Sequence, residues 1–251
     1  PDAPPIAIIV LKFTVHLVSR SMPTSPASER GLKINRNLFA ESLHVLRLVR
    51  SNNVVRRAVF GVSWFWFVGT LLSAQLPNYA KLHMGGSESL NLLALALFSV
   101  GTGLGSLWCE KLSQRTVEIG LVPFGALGMT VFCADLYFAR PGLAPETGIT
   151  LLQFWQQAGS FRIMADLTLI GMFAGFFIVP LFALIQSRTE RSELSRVIAG
   201  MNIQNALFIV SAAVTGIVLQ RYLGFSIPQV FLLLAVLNAA VVGLPHPQWG
   251  E

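Results

Sequence analysis

Six long apolar runs, almost free of charge, constrain this chain more than any other feature. They lie at Ala58–Ala80, Ser89–Cys109, Ile119–Phe138, Leu167–Gln186, Val197–Leu219 and Ile227–Leu244. Each is roughly 18–23 residues long, which is what a helix needs to cross a hydrocarbon layer about 30 Å thick. Lipid cannot satisfy an open backbone, so uninterrupted runs of this kind are expected to be helices. Few ionisable side chains sit in or beside them, notably Asp135 and Asp166. The expected fold class is therefore an all-α integral membrane protein with six transmembrane helices over 58–244.

Composition supports this and excludes other classes. Of 251 residues 53% are hydrophobic and only 12% charged, about half the usual charged share of a soluble domain. The net charge of +6 resides mostly between the apolar runs, where it speaks for topology and lipid headgroups rather than for nucleic acid. Cys109 and Cys133 form neither a CxxC pair nor a disulfide framework and read as buried, inert thiols. No cluster implies a metal or an organic cofactor.

The flanks carry their own signals. Residues 1–21 include the short apolar stretch Ile6–Val18, interrupted by Lys12 and His16. It reads as the end of an earlier transmembrane helix or as a segment lying in the interface. Residues 22–57 read as a polar linker with a short amphipathic helix at Leu38–Arg50, capped by Asn37. That helix either rests on the membrane surface or is an ordinary connector. Residues 245–251 are a tail.

Charge asymmetry orients the spans. Arg47, Arg50, Arg56, Arg57, Lys111, Arg115, Arg188, Arg191 and Arg196 fall on one side if the six runs alternate. Lys81, Arg140, Arg162 and Arg221 fall on the other. The positive-inside rule makes the first side cytoplasmic, together with the linker and both ends of the six-helix unit.

Six helices behind a cytoplasmic linker suggest half of a larger transporter, since major facilitator proteins join two six-helix halves. Ser106-Leu-Trp-Cys-Glu110-Lys111-Leu-Ser113-Gln-Arg115 follows the charged loop pattern of that superfamily in degraded form. More specific segments are Ser63-Trp-Phe-Trp-Phe67, Ala74-Gln-Leu-Pro-Asn-Tyr79, Leu95-Ala-Leu-Phe-Ser-Val-Gly101, Val117-Glu-Ile-Gly-Leu-Val-Pro-Phe-Gly125 and Arg196-Val-Ile-Ala-Gly-Met-Asn-Ile-Gln-Asn205. Over about Leu32–Gly243 the chain resembles the lysophospholipid transporter branch, a unit often fused to a glycerophospholipid acyltransferase and an acyl-acyl-carrier-protein synthetase. It is similar to the second half of that unit.

The resemblance implies lysophospholipid flipping toward the cytoplasmic leaflet of a bacterial inner membrane, by alternating access. It implies membrane lipids, a first six-helix half and the fused enzyme domains as partners. The chain itself reads as non-enzymatic: His83-Met-Gly-Gly-Ser-Glu88 does not make the His-x4-Asp motif of glycerolipid acyltransferases. Two other readings stay open, an exporter of drugs or other amphiphiles and a membrane anchor for acyltransferase domains.

Individual residues admit a packing role and a functional one. Trp64 and Trp66 are belt or packing residues, or cavity walls touching an acyl chain. Gln75, Asn78 and Tyr79, around Pro77, are helix-packing polarity or a gate; Gln75 and Asn78 are expected to share a face. Asp166 is expected to pair with Arg162 one turn away, or to meet a headgroup amine or a proton. Asp135 is expected to meet Arg140 or solvent. Asn202 and Asn205 are expected on one face beside Gln204, bonding between helices or to a headgroup. Asn238 reads as a single packing contact. Glu110, Lys111, Arg115, Arg188, Arg191 and Arg196 are topology signals or a cytoplasmic latch. Gly101-Thr-Gly-Leu-Gly105-Ser106 lies inside a span and reads as close helix packing, not a phosphate loop.

Overall fold

A membrane-crossing backbone must satisfy its own hydrogen bonds, and the apolar runs do so as continuous helices. A computed structural model of the chain describes residues 19, 38–85, 88–113, 118–139 and 148–243. The expectations for residues 1–18 and 20–37, Arg115, Arg140 and the tail lie outside the described residues. The chain divides after Arg36, and the architecture below is that of the second unit.

Its helices are α1 (Leu38–Ser51), α2 (Asn53–His83), α3 (Glu88–Leu112), α4 (Leu121–Phe138), the short α5 (Leu151–Gln156), α6 (Ser160–Arg188), α7 (Leu194–Ile217) and α8 (Ile227–Gly243). A π-helical turn, Val218–Tyr222, extends α7, and Gly224 follows at φ 67°. Among the described residues, five helices are long and apolar enough to cross a membrane, counting α7 with its π turn; α8, at 17 residues, is shorter. The protein is thus an all-α, multi-pass membrane protein. The helices overrun the apolar stretches: α2 starts five residues before Ala58, because Asn52 caps it by accepting from the backbone N–H of Val54 and Val55 at 2.9 and 3.2 Å. Pro77 and Pro180 lie inside α2 and α6 without ending them.

Close packing centres on α6. It runs parallel to α3, and four glycines at matching spacing line the seam: Gly101 and Gly105 on α3, Gly171 and Gly175 on α6. A Cβ at Gly101 would collide with the Thr168 carbonyl, at Gly105 with that of Met172, and at Gly171 with that of Phe98. At Gly175 it would lie 2.6 Å from the Ser106 backbone nitrogen. Without side chains between them the two backbones meet directly, as small-residue motifs allow in lipid. On another side of α6, Gly125 and Gly128 of α4 admit Phe173 and Phe177. Further layers follow: α8 packs on α4, and α2 packs on both α6 and α7.

The amphipathic α1 does not simply rest on a membrane surface. It packs along the start of α7, burying Val45 and Val49, while Leu43 remains 49% exposed. Gly200 makes this possible, since a Cβ there would lie 2.8 Å from both the Val45 carbonyl and Val49 Cγ2. Cys109 and Cys133 are buried and unpaired.

Two alanines separate close approach from helix propensity. Gly105→Ala drives a methyl into backbone and costs stability, about 1–3 kcal/mol for overpacking of this kind. At Gly103 nothing lies within 4 Å, so Gly103→Ala is stabilising by about 0.5–1 kcal/mol. Thermal unfolding in detergent reads the difference, and equal behaviour of the two variants excludes the glycine seam.

Candidate functional site

Three polar groups on the buried side of α2 tie it to its neighbours. Ser63 Oγ donates to Asn205 Oδ1 of α7 at 2.8 Å. Gln220 Nε2, in the π turn, donates to Gln75 Oε1 at 2.7 Å. Trp64 Nε1 donates to Asn238 Oδ1 of α8 at 2.9 Å. Asn238 in turn donates from Nδ2 to the Ala126 carbonyl at 2.8 Å and to Thr130 Oγ1 at 2.9 Å, both on α4. Asn238 is therefore a three-helix junction and not a single packing contact. An amide at that depth must find several partners, and α2, α4 and α8 converge there.

The structure sorts the residues singled out from sequence into two groups. Trp64, Gln75, Tyr79 and Asn205 are buried inside the bundle. Tyr79 stacks on His83, meets Phe231 edge-on and sends its hydroxyl toward the Ala139 carbonyl at 3.4 Å. Trp66, at 41%, Asn78 and Asn202 are exposed. Gln75 and Asn78 therefore do not share a face, and neither do Asn202 and Asn205. Three residues advance about 300° around a helix, so a boundary between buried and exposed sides can fall between them.

The outward side of α2 has a character of its own. Trp66, Thr70 and Ser73 follow one another along it, with Gly69 beside them, where a Cβ would meet nothing within 4 Å; Asn78 is exposed further round the helix. Phe65 and Phe98 help to wall a shallow groove of about 610 Å³ along this stripe. Aliphatic side chains would be the ordinary lipid-facing choice, and these are small, polar or aromatic.

At the far end of the bundle lies a charged group. Arg162, at the start of α6, forms a two-point ion pair with Asp135 at the end of α4, its Nε at 2.8 Å from Oδ2. This corrects the expected Arg162–Asp166 pair: the guanidinium reaches across to α4 instead of along its own helix. Asp166 is only 2% exposed, and its Oδ2 has no hydrogen-bond partner.

At the end where α2 begins, Glu110, Lys111, Arg188 and Arg191 are exposed and Arg196 is half-buried. The same end holds a cavity of about 710 Å³ that no local sequence signal revealed. Arg50, Arg56 and Arg57 stand on its wall with Phe60, Phe177 and Phe208. Sequence reasoning read these arginines as topology signals, because the apolar wall opposite them comes from helices far apart in the chain. Among the described residues, no group of three or more His, Cys, Asp or Glu side chains is placed to hold a metal ion.

Fold and surface thus define a multi-pass helical membrane protein. The chain is similar to curated proteins named lysophospholipid transporter LplT. It is 28% identical to that of Citrobacter koseri over 163 residues, 61% of this chain and 36% of the relative. It is 29% identical to that of Klebsiella pneumoniae over 173 residues, 68% and 39%. For Escherichia coli O157:H7 the identity is 26% over 157 residues, 62% and 35%. The chain spans less than two-fifths of the length of these relatives. No family model and no solved structure matches it.

The Asn238 junction is testable by a double-mutant cycle. Asn238→Ala strands the Trp64 N–H and costs about 1–3 kcal/mol. Trp64→Phe in the Asn238→Ala background costs less than it does alone, by a coupling of about 0.6–1.7 kcal/mol. Denaturant unfolding in mixed micelles measures both, and strictly additive costs would show that the bond carries no coupling.

Proposed function

We propose that the chain is the second six-helix half of a lysophospholipid transporter of the major facilitator type. The observation that carries this reading is the stripe of Trp66, Thr70 and Ser73 on one side of α2. A span with such a side is suited to face another protein wall across a polar path rather than lipid. The relatives' printed name supplies the substrate class.

In this reading a first six-helix half packs opposite α2, and the two rock about a midplane cavity so that the path opens to one leaflet at a time. Trp66 lies against the acyl chain, while Asn78 and Asn202 contact the headgroup. The buried polar ties of Trp64, Gln75 and Asn205 hold the wall in place. Asp166, with its unpartnered oxygen, belongs to the outer gate together with Asp135 and Arg162. Glu110, Lys111, Arg115, Arg188, Arg191 and Arg196 latch the opposite end. The nine basic residues on that side support a cytoplasmic orientation, and the resemblance implies a bacterial inner membrane, where flipping would deliver lysophospholipid for reacylation. Acyltransferase or acyl-acyl-carrier-protein synthetase domains are the partners that would consume it; the chain itself carries out no chemistry.

Uptake of radiolabelled lysophosphatidylethanolamine into spheroplasts tests this, using the chain joined to a first six-helix half. Wild type is expected to take up the lipid, and Asn78→Ala to lower uptake about tenfold, the equivalent of about 1.4 kcal/mol. No uptake by wild type sinks the transport reading. Wild-type uptake by Asn78→Ala and Trp66→Ala removes these α2 residues from the path.

A further inference from the structure

We propose that α5 is a membrane-interface anchor. It lies in the headgroup boundary of the leaflet that α6 enters at its start, with Leu151, Leu152 and Trp155 in lipid. The segment joins two spans, yet from Gly148 to Phe161 it has no charged residue. The three sides of α5 differ. At about 100° per residue, Leu151, Trp155 and Leu152 share one arc, and Gln156 and Gln153 fall in the next. Phe154 takes the third side. It is 0% exposed, in the core of the bundle, whereas Leu152 is 68% and Trp155 61% exposed. Gln153 and Gln156 are exposed as well. A helix against a soluble core has an apolar side and a polar side. One at a membrane boundary meets protein, hydrocarbon and water, and α5 has a side for each. Its exposed apolar side marks an interaction surface.

Contacts at both ends fix the height of α5. Before it, the Gly85 carbonyl, just after α2, accepts from the backbone N–H of Gly148 and Ile149 at 2.8 and 3.3 Å. The Ile149 side chain fills the space that a Cβ at Gly85 would need. After it, Ser160 Oγ, at the start of α6, donates to the Trp155 carbonyl at 3.2 Å. The end of α5 is therefore level with the first turn of α6, which carries Arg162. Arg162 and Arg188 stand about 39 Å apart along α6, at about 1.5 Å per residue. A bilayer with its headgroups is about 40–45 Å thick, so an arginine near each end of the span sets Arg162 among the headgroups. The apolar side of α5 meets acyl chains just below that level, where tryptophan is the favoured side chain. Phe161, one residue before Arg162, is 73% exposed at the same height. The inference does not depend on what the bundle transports.

Spin labels on the 251-residue chain in phosphatidylcholine vesicles test the anchor. They are placed singly at Leu152→Cys, Trp155→Cys and Gln156→Cys, all exposed positions, while Cys109 and Cys133 are buried. Collisions with oxygen, which concentrates in lipid, and with a water-soluble nickel chelate give the depth of each label. Leu152→Cys and Trp155→Cys are expected about 5–10 Å inside the phosphate level, and Gln156→Cys at that level or outside it. An unaltered melting temperature verifies the fold of each variant. Nickel that reaches Leu152→Cys as readily as Gln156→Cys puts α5 in water and overturns the anchor. Shielding of Leu152→Cys from both reagents, in this chain or in one joined to a first six-helix half, puts α5 against protein and overturns it too.

Discussion

The backbone contact between α3 and α6 is the constraint on which the bundle depends. In water, burial of apolar surface would bring these helices together, but in lipid a leucine gains little by touching another leucine. What remains is van der Waals contact, and its strength rises as atoms approach. Gly101, Gly105, Gly171 and Gly175 remove the side chains that would keep the axes apart. The parallel course of the two helices keeps the glycines in register over a full turn. Gly125 and Gly128 extend the same solution to α4: Gly125 meets the α6 backbone at Phe173 and Phe177, and the Phe173 ring fills the space at Gly128. α6 becomes a spine because it meets close neighbours on several sides.

The helices that cannot approach so closely are held by polar ties. α2 reaches α7 through Ser63–Asn205 and Gln75–Gln220, and α8 through Trp64–Asn238. The Ser63–Asn205 and Trp64–Asn238 bonds are buried and Gln75–Gln220 is partly so; an unpaired amide or indole N–H is costly there, so the ties specify register as well as adding stability. This division explains the two sides of α2. The side that carries the ties is committed to the bundle. The other carries Trp66, Thr70 and Ser73 along a shallow groove.

The spans were legible in the sequence because hydrocarbon thickness imposes a length, and runs such as Ala58–Ala80 display it directly. The packing role of Gly101 and Gly105 was legible for a similar reason, as spacing within one helix. Pairings between helices were not. Nothing local distinguishes Arg162 meeting Asp166 one turn along from Arg162 meeting Asp135 across a gap, and the second occurs. Asn202 and Asn205 look alike in sequence, yet Ser63, far away in the chain, selects only Asn205. The arginine-walled cavity was illegible because its wall is assembled from six helices and its polar residues double as orientation signals.

The cavity has a structural origin in the same two modes of packing. α3, α4 and α6 are drawn together by glycines, while α1, α2 and α7 are joined by a second seam, where Gly200 admits α1. α2 spans both groups, but near its start Phe60 and the arginines face large side chains, Phe177 and Phe208, which keep the groups apart. The gap opens beside the close contact of Gly61 with Leu181, where bulky rings rather than backbone meet. Because α1 lies along the start of α7, a shift of α7 relative to the spine would carry Arg50 with it and change its distance from Arg56 and Arg57 on α2. The cavity's charged wall thus draws on both helix groups.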